Sequence, residues 1–205
     1  MPEQTPSFIN NSQENNFCFI DLSFEYLDDM FEYSTKEGLY DFFEGEAPST
    51  KEQMGDYLGK LLQRNEGVTM SGESSVWFIL DKNNNKVIGS AGYVGIDHIR
   101  GNATMTFAIS PDYWGRSVAF DMLHSLVYHG FSIMGLNRLS SMTFFNNLRL
   151  ISFIETIGFK KEGCIRKYYK QHNDGKFVDA LIHGILKDEV NYERCMSFSK
   201  ILSTR

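Results

Sequence analysis

The fold is decided by Phe107-Ala-Ile-Ser-Pro-Asp-Tyr-Trp-Gly-Arg-Ser-Val-Ala-Phe-Asp-Met-Leu-His-Ser-Leu-Val-Tyr-His-Gly-Phe131. Residues 104–109 are mostly β-branched or apolar, which predicts a strand. Pro111 and Asp112 end it, because proline cannot donate to a ladder and aspartate favours turns. A helix opening over 115–119 is then predicted by apolar residues at three-to-four spacing, namely Ala119, Met122, Leu123, Leu126, Val127 and Phe131.

The start of this predicted helix is suited to binding an anion. The first amides of a helix have no intrahelical partner, and the helix dipole adds partial positive charge there. Gly115 has no side chain, and Ser117 and Ala119 are small, so a ligand can approach the backbone. Such a turn binds phosphate or pyrophosphate. The alternative is an ordinary strand-to-helix turn in which the glycine only relieves strain.

Composition limits the classes of protein to which the chain can belong. With 205 residues, 42% of them hydrophobic, the chain is expected to form one globular domain. We expect a flexible lead-in at 1–15, a domain at 16–187 and a tail or helix at 188–205. The net charge of −6 argues against nucleic acid as a partner.

Cysteine use and hydropathy give expectations about location. Cys18, Cys164 and Cys195 are scattered, without the spacing of a disulfide framework or a metal site. This pattern suits a reducing cytosol, so we expect a cytoplasmic protein with no metal. We also expect neither a signal peptide nor a membrane anchor, because the chain shows no basic-then-apolar opening and no apolar run long enough to span a bilayer.

Hydrophobic periodicity and turn residues predict the other elements. In chain order they are a strand at 17–22, a helix after Ser23, a helix at about 50–64, a hairpin over 75–96, the central strand and helix, a strand at 137–145, a helix at 147–157 and a closing hairpin over 159–186. Antiparallel runs with one central strand–helix crossover predict an α+β (mixed α/β) fold. The ligand site is expected at the carboxyl end of the 104–109 strand.

The sequence of this turn is similar to a motif of a known family. Pro111-Asp112-Tyr113-Trp114-Gly115-Arg116, followed by Ala119, resembles the acyl-CoA pyrophosphate loop of GNAT-family N-acetyltransferases. It looks most like the branch that includes the ribosomal-protein N-terminal acetyltransferases, which usually reads Pro-x-x-Trp-Gly-Lys-Gly-Tyr-Ala. Ser117 stands where that branch has its second glycine. A serine still presents its amide and is a good helix cap.

A second stretch, 147–163, supports the resemblance. It is similar to the family's Asn-x-x-Ser-x-x-x-x-Glu-Lys-x-Gly-Phe-x-x-Glu-Gly, with Leu150 in place of the serine. The residues in register are Asn147, Glu155, Gly158, Phe159, Glu162 and Gly163. The resemblance covers roughly 17–186. It implies a splayed, mostly antiparallel sheet of about seven strands flanked by helices, with acyl-CoA between the fourth and fifth strands.

The resemblance also implies a cosubstrate, acetyl-CoA, and the residues that bind it. The pantetheine arm would pair with the backbone of Phe107, Ala108 and Ile109. The pyrophosphate would lie on the loop and the first turn of the helix, formed by Trp114, Gly115, Arg116, Ser117, Val118 and Ala119. Asn147 would contact CoA. A plain helix N-cap is the other role open to Asn147, and the two roles are compatible.

The chemistry implied is attack of a neutral amine on the acetyl thioester, so a proton must be removed. The branch often carries a glutamate where this chain has Thr104, and a tyrosine where it has Ile154. The remaining candidates are Asp41, Glu44 and Glu46 in an acidic loop, and Tyr168 or Tyr169 in the closing hairpin. A solvated surface turn is the alternative for the acidic loop.

Two functions remain open from the sequence. The first is an N-acetyltransferase acting on a primary amine, which could be a small-molecule amine, an amino sugar or a protein N-terminus. The second is a non-catalytic acyl-CoA-binding sensor with the same fold, which the replacements at Thr104 and Ile154 keep open. A phosphate-binding module with another ligand is disfavoured by the second stretch of resemblance. A homodimer is also left open.

Overall fold

The computed structural model describes residues 16–43, 48–67, 73–171 and 174–191. The lead-in expected at 1–15 and most of the tail expected at 188–205, from residue 192 onward, lie outside these ranges. Within them, no helix combines the length and the apolar character needed to cross a membrane.

The predicted order of strands and helices is confirmed. The strands are β1 (Phe17–Asp21), β2 (Glu73–Asp81), β3 (Lys86–Asp97), β4 (Asn102–Ile109), β5 (Arg138–Phe144), β6 (Lys160–Lys170) and β7 (Phe177–Leu186). The α-helices are α1 (Leu27–Ser34), α2 (Lys51–Glu66), α3 (Ser117–Tyr128) and α4 (Leu148–Ile157). Short 3-10 turns lie at Phe24–Tyr26, Leu39–Phe42, Pro111–Tyr113 and Lys187–Glu189.

All seven strands form one sheet in the order β1-β2-β3-β4-β5-β7-β6. Every neighbouring pair is antiparallel except β4 and β5, which run parallel. The expected α+β class, with a mostly antiparallel sheet flanked by helices, is therefore confirmed.

The parallel pair is the feature that places the site. β4 and β5 pair only through Asn102 to Thr104 of β4. Beyond Thr104, β4 continues to Ile109 and β5 to Phe144 without further pairing between the two strands. The strands therefore separate toward their carboxyl ends, which is the splay that the resemblance implied. We call the space between these ends the cleft.

Two hydrophobic clusters hold helices on the two faces of the sheet. On one face, α3 and α4 pack on the central strands, with Met122 and Val127 fully buried. On the other face, α1 and α2 pack on β2 and β3, with Met54 and Leu58 fully buried. The burial of these regularly spaced apolar residues stabilises both helical layers, so the loops that join them to the sheet are held at fixed positions.

The central helix begins at Ser117, within the predicted range 115–119. After Tyr128 it continues as a π-helical turn over His129–Ile133, which the sequence did not predict. The Tyr93 hydroxyl donates to the Leu126 carbonyl at 2.5 Å, just before this turn. A side chain that bonds a helix carbonyl perturbs the regular ladder, which gives a physical reason for the wider turn.

Candidate active site

The turn after β4 is open toward its ligand side. Gly115 has a φ of +75°, a left-handed conformation that favours glycine. A Cβ atom at Gly115 would meet nothing within 4 Å. Arg116 is the N-cap of α3 and makes no side-chain cap bond, so its side chain leaves the first amides of the helix without a cap. The geometry is therefore that of a turn leading into an accessible helix N-terminus, as an anion site requires.

Side chains anchor this turn to the rest of the sheet. The Trp114 indole donates to the Ile109 carbonyl at 3.1 Å. The Tyr113 hydroxyl donates to Asp81 at 2.8 Å. Burial, together with this bond to a carboxylate, raises the pKa of the Tyr113 phenol, which therefore stays a donor at neutral pH. These bonds fix the turn at the carboxyl end of β4.

The end of β5, on the other side of the cleft, carries buried polar atoms. The Thr143 hydroxyl and the Asn146 side-chain oxygen are buried and have no hydrogen-bond partner among the described residues. Buried polar groups are normally paired, so two such atoms beside a cleft fit a ligand with amide groups. Acyl-CoA has two amides in its pantetheine arm, so the residues present fit this cosubstrate.

Asn147 is the cap of α4. Its side-chain oxygen accepts from the Leu150 amide at 3.2 Å, and its NH₂ group is available to donate to a ligand. The N-cap role is therefore present. Asn146 was not identified from the sequence, where only Asn147 fell in register with the family. The one available signal was the Asn-Asn pair directly after a predicted strand.

The segment 39–43 and the closing hairpin meet at the end of β5. The Phe144 ring stacks on the Tyr169 ring at 4.1 Å and lies 6.1 Å from the Phe42 ring. Tyr168 contacts Tyr169 edge-on at 5.0 Å, and 48% of its surface is exposed. The aromatic chain Phe42–Phe144–Tyr169–Tyr168 forms one wall beside the cleft.

The candidate carboxylates lie in the first of these segments. Asp41 is exposed, and its carboxylate lies about 4.0 Å from a Cβ built on Gly38, against which the Trp114 ring packs. Asp41 is thus near the turn after β4. Glu44 and Glu46 lie outside the described residues.

The two positions where the family usually carries its acid and base differ in environment. Thr104 is half-buried and is the last residue of β4 that pairs with β5, so it lies where the cleft begins. Ile154 is 3% exposed and belongs to the core between the sheet and α4. Neither residue can remove a proton near neutral pH.

Two buried histidines near the end of the central helix have structural contacts. The His124 ring nitrogen bonds the Phe120 carbonyl at 2.9 Å, and the His129 ring stacks on Tyr93. His183 is fully buried, its two ring nitrogens have no hydrogen-bond partner among the described residues, and its Nε2 lies 3.7 Å from a carboxylate oxygen of Glu155. In the described ranges, no three His, Cys, Asp or Glu side chains lie close enough together to hold a metal ion.

Comparison with known proteins gives a family and a fold. The family model described as an acetyltransferase (GNAT) domain matches residues 17–160. The chain is 27% identical over 129 residues to the uncharacterized N-acetyltransferase p20 of Bacillus licheniformis, an alignment that covers 63% of this chain and 71% of the relative.

Solved structures share the fold at low identity. One is spermidine N-acetyltransferase from Vibrio cholerae in complex with CoA and spermine (16% identity, TM-score 0.71, 85% of this chain and 97% of that one). Another is the ribosomal-protein-S5-alanine acetyltransferase of Vibrio fischeri (17% identity, TM-score 0.71, 88% and 98%). The assignment to the ribosomal-protein branch stays a prediction, since such identities show the fold alone. The family match, however, spans most of the chain: the protein belongs to the GNAT acetyltransferase family and is an acetyl-CoA-dependent acetyltransferase.

Proposed function

We propose that the protein transfers the acetyl group of acetyl-CoA to a primary amine, with the donor held in the cleft between β4 and β5. One observation carries this proposal. The two strands part after Thr104, and the resulting cleft has an accessible helix N-terminus at one side and unpartnered polar atoms of Thr143 and Asn146 at the other.

The backbone of β4 would hold the pantetheine arm. Beyond Thr104, the edge of β4 that faces β5 has no strand partner, so its outward N–H and C=O groups need another one. The Trp114 indole already occupies the Ile109 carbonyl. Consecutive residues of a strand turn their backbone groups to opposite edges. The Ser110 N–H bonds the Ile88 carbonyl of β3, so Ala108, two residues earlier, also turns its backbone groups to β3. The backbone of Phe107 and the N–H of Ile109 are therefore the main partners of the arm.

The remaining contacts to acetyl-CoA would come from the start of α3 and the end of β5. The Arg116 amide already donates to the Tyr113 carbonyl at 3.3 Å. The amides of Ser117 through Ala119 would therefore bind the diphosphate, with Gly115 leaving room for it. Asn146 would accept from a pantetheine amide N–H, and the Thr143 hydroxyl would take a second polar group of the arm. Asn147 would add its NH₂ group while it caps α4.

We place the acceptor amine against the aromatic wall and Asp41. Aromatic rings and a carboxylate suit a cationic or amphipathic amine. A small-molecule amine is supported by the fold neighbour that acts on spermidine, and a protein N-terminus by the neighbour that acts on ribosomal protein S5. Both acceptor classes are therefore retained.

Acetyl-CoA supplies an acetyl thioester, whose carbon forms a bond to the amine nitrogen as the C–S bond breaks. The chain must then take one proton from the amine and allow one to reach the sulfur. Asp41 or Glu44, or a water that they hold, would accept the first proton, and the Tyr168 hydroxyl would donate the second.

Positioning two reactants lowers a barrier by about 7–11 kcal/mol. A general base adds only about 10²–10⁴-fold, so loss of the glutamate at Thr104 is compatible with activity.

Calorimetry with CoA tests the donor site. Ser117→Glu puts a carboxylate against the diphosphate and should weaken binding severely. Ser132→Glu is the matched control, because Ser132 is exposed at the other end of the same helix. Equal affinity for the wild type and Ser117→Glu would show that the diphosphate does not lie on this turn. The cytoplasmic location and the homodimer stay predictions.

A further inference from the structure

A guanidinium group joins the two sides of the cleft at its open end. The Arg149 Cζ atom lies 4.4 Å from the centre of the Trp114 ring. Trp114 belongs to the turn after β4, and Arg149 lies in the first turn of α4, which follows β5. The two strands no longer pair at this level. The contact therefore lies at the open end of the cleft.

Arg149 is an exposed cation in an unfavourable place. It lies at the N-terminal end of α4, where the helix dipole is positive and an acidic residue would be stabilising. It forms no ion pair with any carboxylate in the part of the chain that the structure describes. A cation held at a positive helix end without a carboxylate partner attracts an anion from outside the protein.

Contact with the ring still lets this cation donate hydrogen bonds. A guanidinium that lies flat over an aromatic ring uses its face, whereas its five N–H groups point outward in its plane. The Trp114 ring is itself fixed by its bond to the Ile109 carbonyl and by packing against Gly38. It thus provides a rigid platform that restricts the position of the Arg149 guanidinium.

We propose that Arg149 binds a phosphate group of CoA and that Trp114 is the platform which positions it. This inference rests on the proposed donor site. CoA carries phosphate at two places, the diphosphate and the 3′-phosphate of its ribose. The amides of α3 are already assigned to the diphosphate, so the 3′-phosphate is the group that still lacks a partner. Planar, bidentate donors of this kind match a phosphate.

The test compares Arg149→Gln with the wild type in binding to CoA, dephospho-CoA and pantetheine. Calorimetry serves for the first two ligands and saturation-transfer NMR for the weakly binding third. Charge-assisted bonds of this class correspond to about ten- to hundredfold in affinity. We expect a loss of this size for CoA, with pantetheine unaffected. An unchanged dephospho-CoA affinity identifies the 3′-phosphate as the partner, whereas an equal loss identifies the diphosphate.

Arg100→Gln is the matched control, because it removes one exposed arginine at the opposite end of β4. Trp114 fluorescence gives an independent readout, since the other tryptophan, Trp77, is 5% exposed in the core. We expect Arg149→Gln to change the emission, because it removes the cation from the indole. Unchanged CoA affinity, or an equal loss for pantetheine, would overturn the proposal. Failure of the wild type to bind CoA would instead contradict the proposed donor site.

Discussion

The ring of Phe144, the last residue of β5, lies parallel to the ring of Tyr169 in β6, with 4.1 Å between their centres and 6° between their planes. Phe144 also contacts Phe42, so three segments that are distant in sequence meet at one side chain. This meeting point is the basis for placing the acceptor beside the end of β5.

Replacing Phe144 should therefore affect the acceptor more than the donor. Phe144→Leu keeps an apolar side chain but removes the ring stacked on Tyr169. We expect acceptor KM to rise several-fold while acetyl-CoA KM stays the same. The control is Phe78→Leu, a fully buried position of β2, which two strands separate from β5, and it should reduce stability only. Equal changes in both KM values for Phe144→Leu would contradict this placement.

Asp41 should attract a cationic acceptor. Asp41→Asn removes a charge near the cleft, so we expect acceptor KM to rise and the increase to shrink at high salt, because salt screens exposed charges. Asp56→Asn, at an exposed position of α2, is the matched control. A salt-independent effect, or none, would rule out electrostatic attraction by Asp41.

Tyr168 should act on the chemical step. Tyr168→Phe removes the hydroxyl and keeps the ring, so we expect kcat to fall by about 10²–10⁴-fold with little change in either KM. Tyr169→Phe makes the same change one residue away, in a ring that is already stacked on Phe144, and should leave kcat nearly unchanged. If the two variants have the same kcat, Tyr168 is not the proton donor.

The sequence predicted those features of the fold that depend on repeated burial. The apolar spacing along 107–131 and 147–157 predicted α3 and α4, because each helix buries one face. The stacking of Phe144 on Tyr169 was not predictable, because it depends on a register shift in β6. There Lys167 adopts a φ of +52° and its amide donates to Asp179 at 2.9 Å. Sequence spacing does not report such a long-range bond.

The parts of the candidate site that depend on local sequence were also predictable, and the others were not. The turn around Gly115 and the cap at Asn147 were identified because both depend on local backbone chemistry. Asn146 was not, because the direction of its side chain depends on how the chain leaves β5. The Arg149–Trp114 contact joins two separate elements, and nothing in either stretch alone indicates it.

His129 should make stability depend on pH. Burial lowers the pKa of His129 from 6.5 to about 4. Between these values the unfolded chain binds the proton and the folded protein does not, so stability is complete above pH 6.5 and falls as the pH drops toward 4. We expect a loss of about 2 kcal/mol between pH 7.5 and pH 5 from this residue.

Urea unfolding of wild type and His129→Phe at both pH values isolates this contribution. Phenylalanine keeps a ring that can stack on Tyr93, and the Tyr93 hydroxyl retains its bond to Leu126. The variant should lose less stability than the wild type as the pH drops. The same loss in both proteins would show that other groups cause the acid destabilisation.

Thiol release from acetyl-CoA, measured with a panel of amines and peptides from mildly acidic to alkaline pH, tests the central claim most directly. The account predicts that at least one primary amine raises release well above the hydrolysis background and is recovered in acetylated form. The rate should climb with pH as the amine becomes neutral. Tight CoA binding without any acceptor-dependent release across the panel would contradict the account.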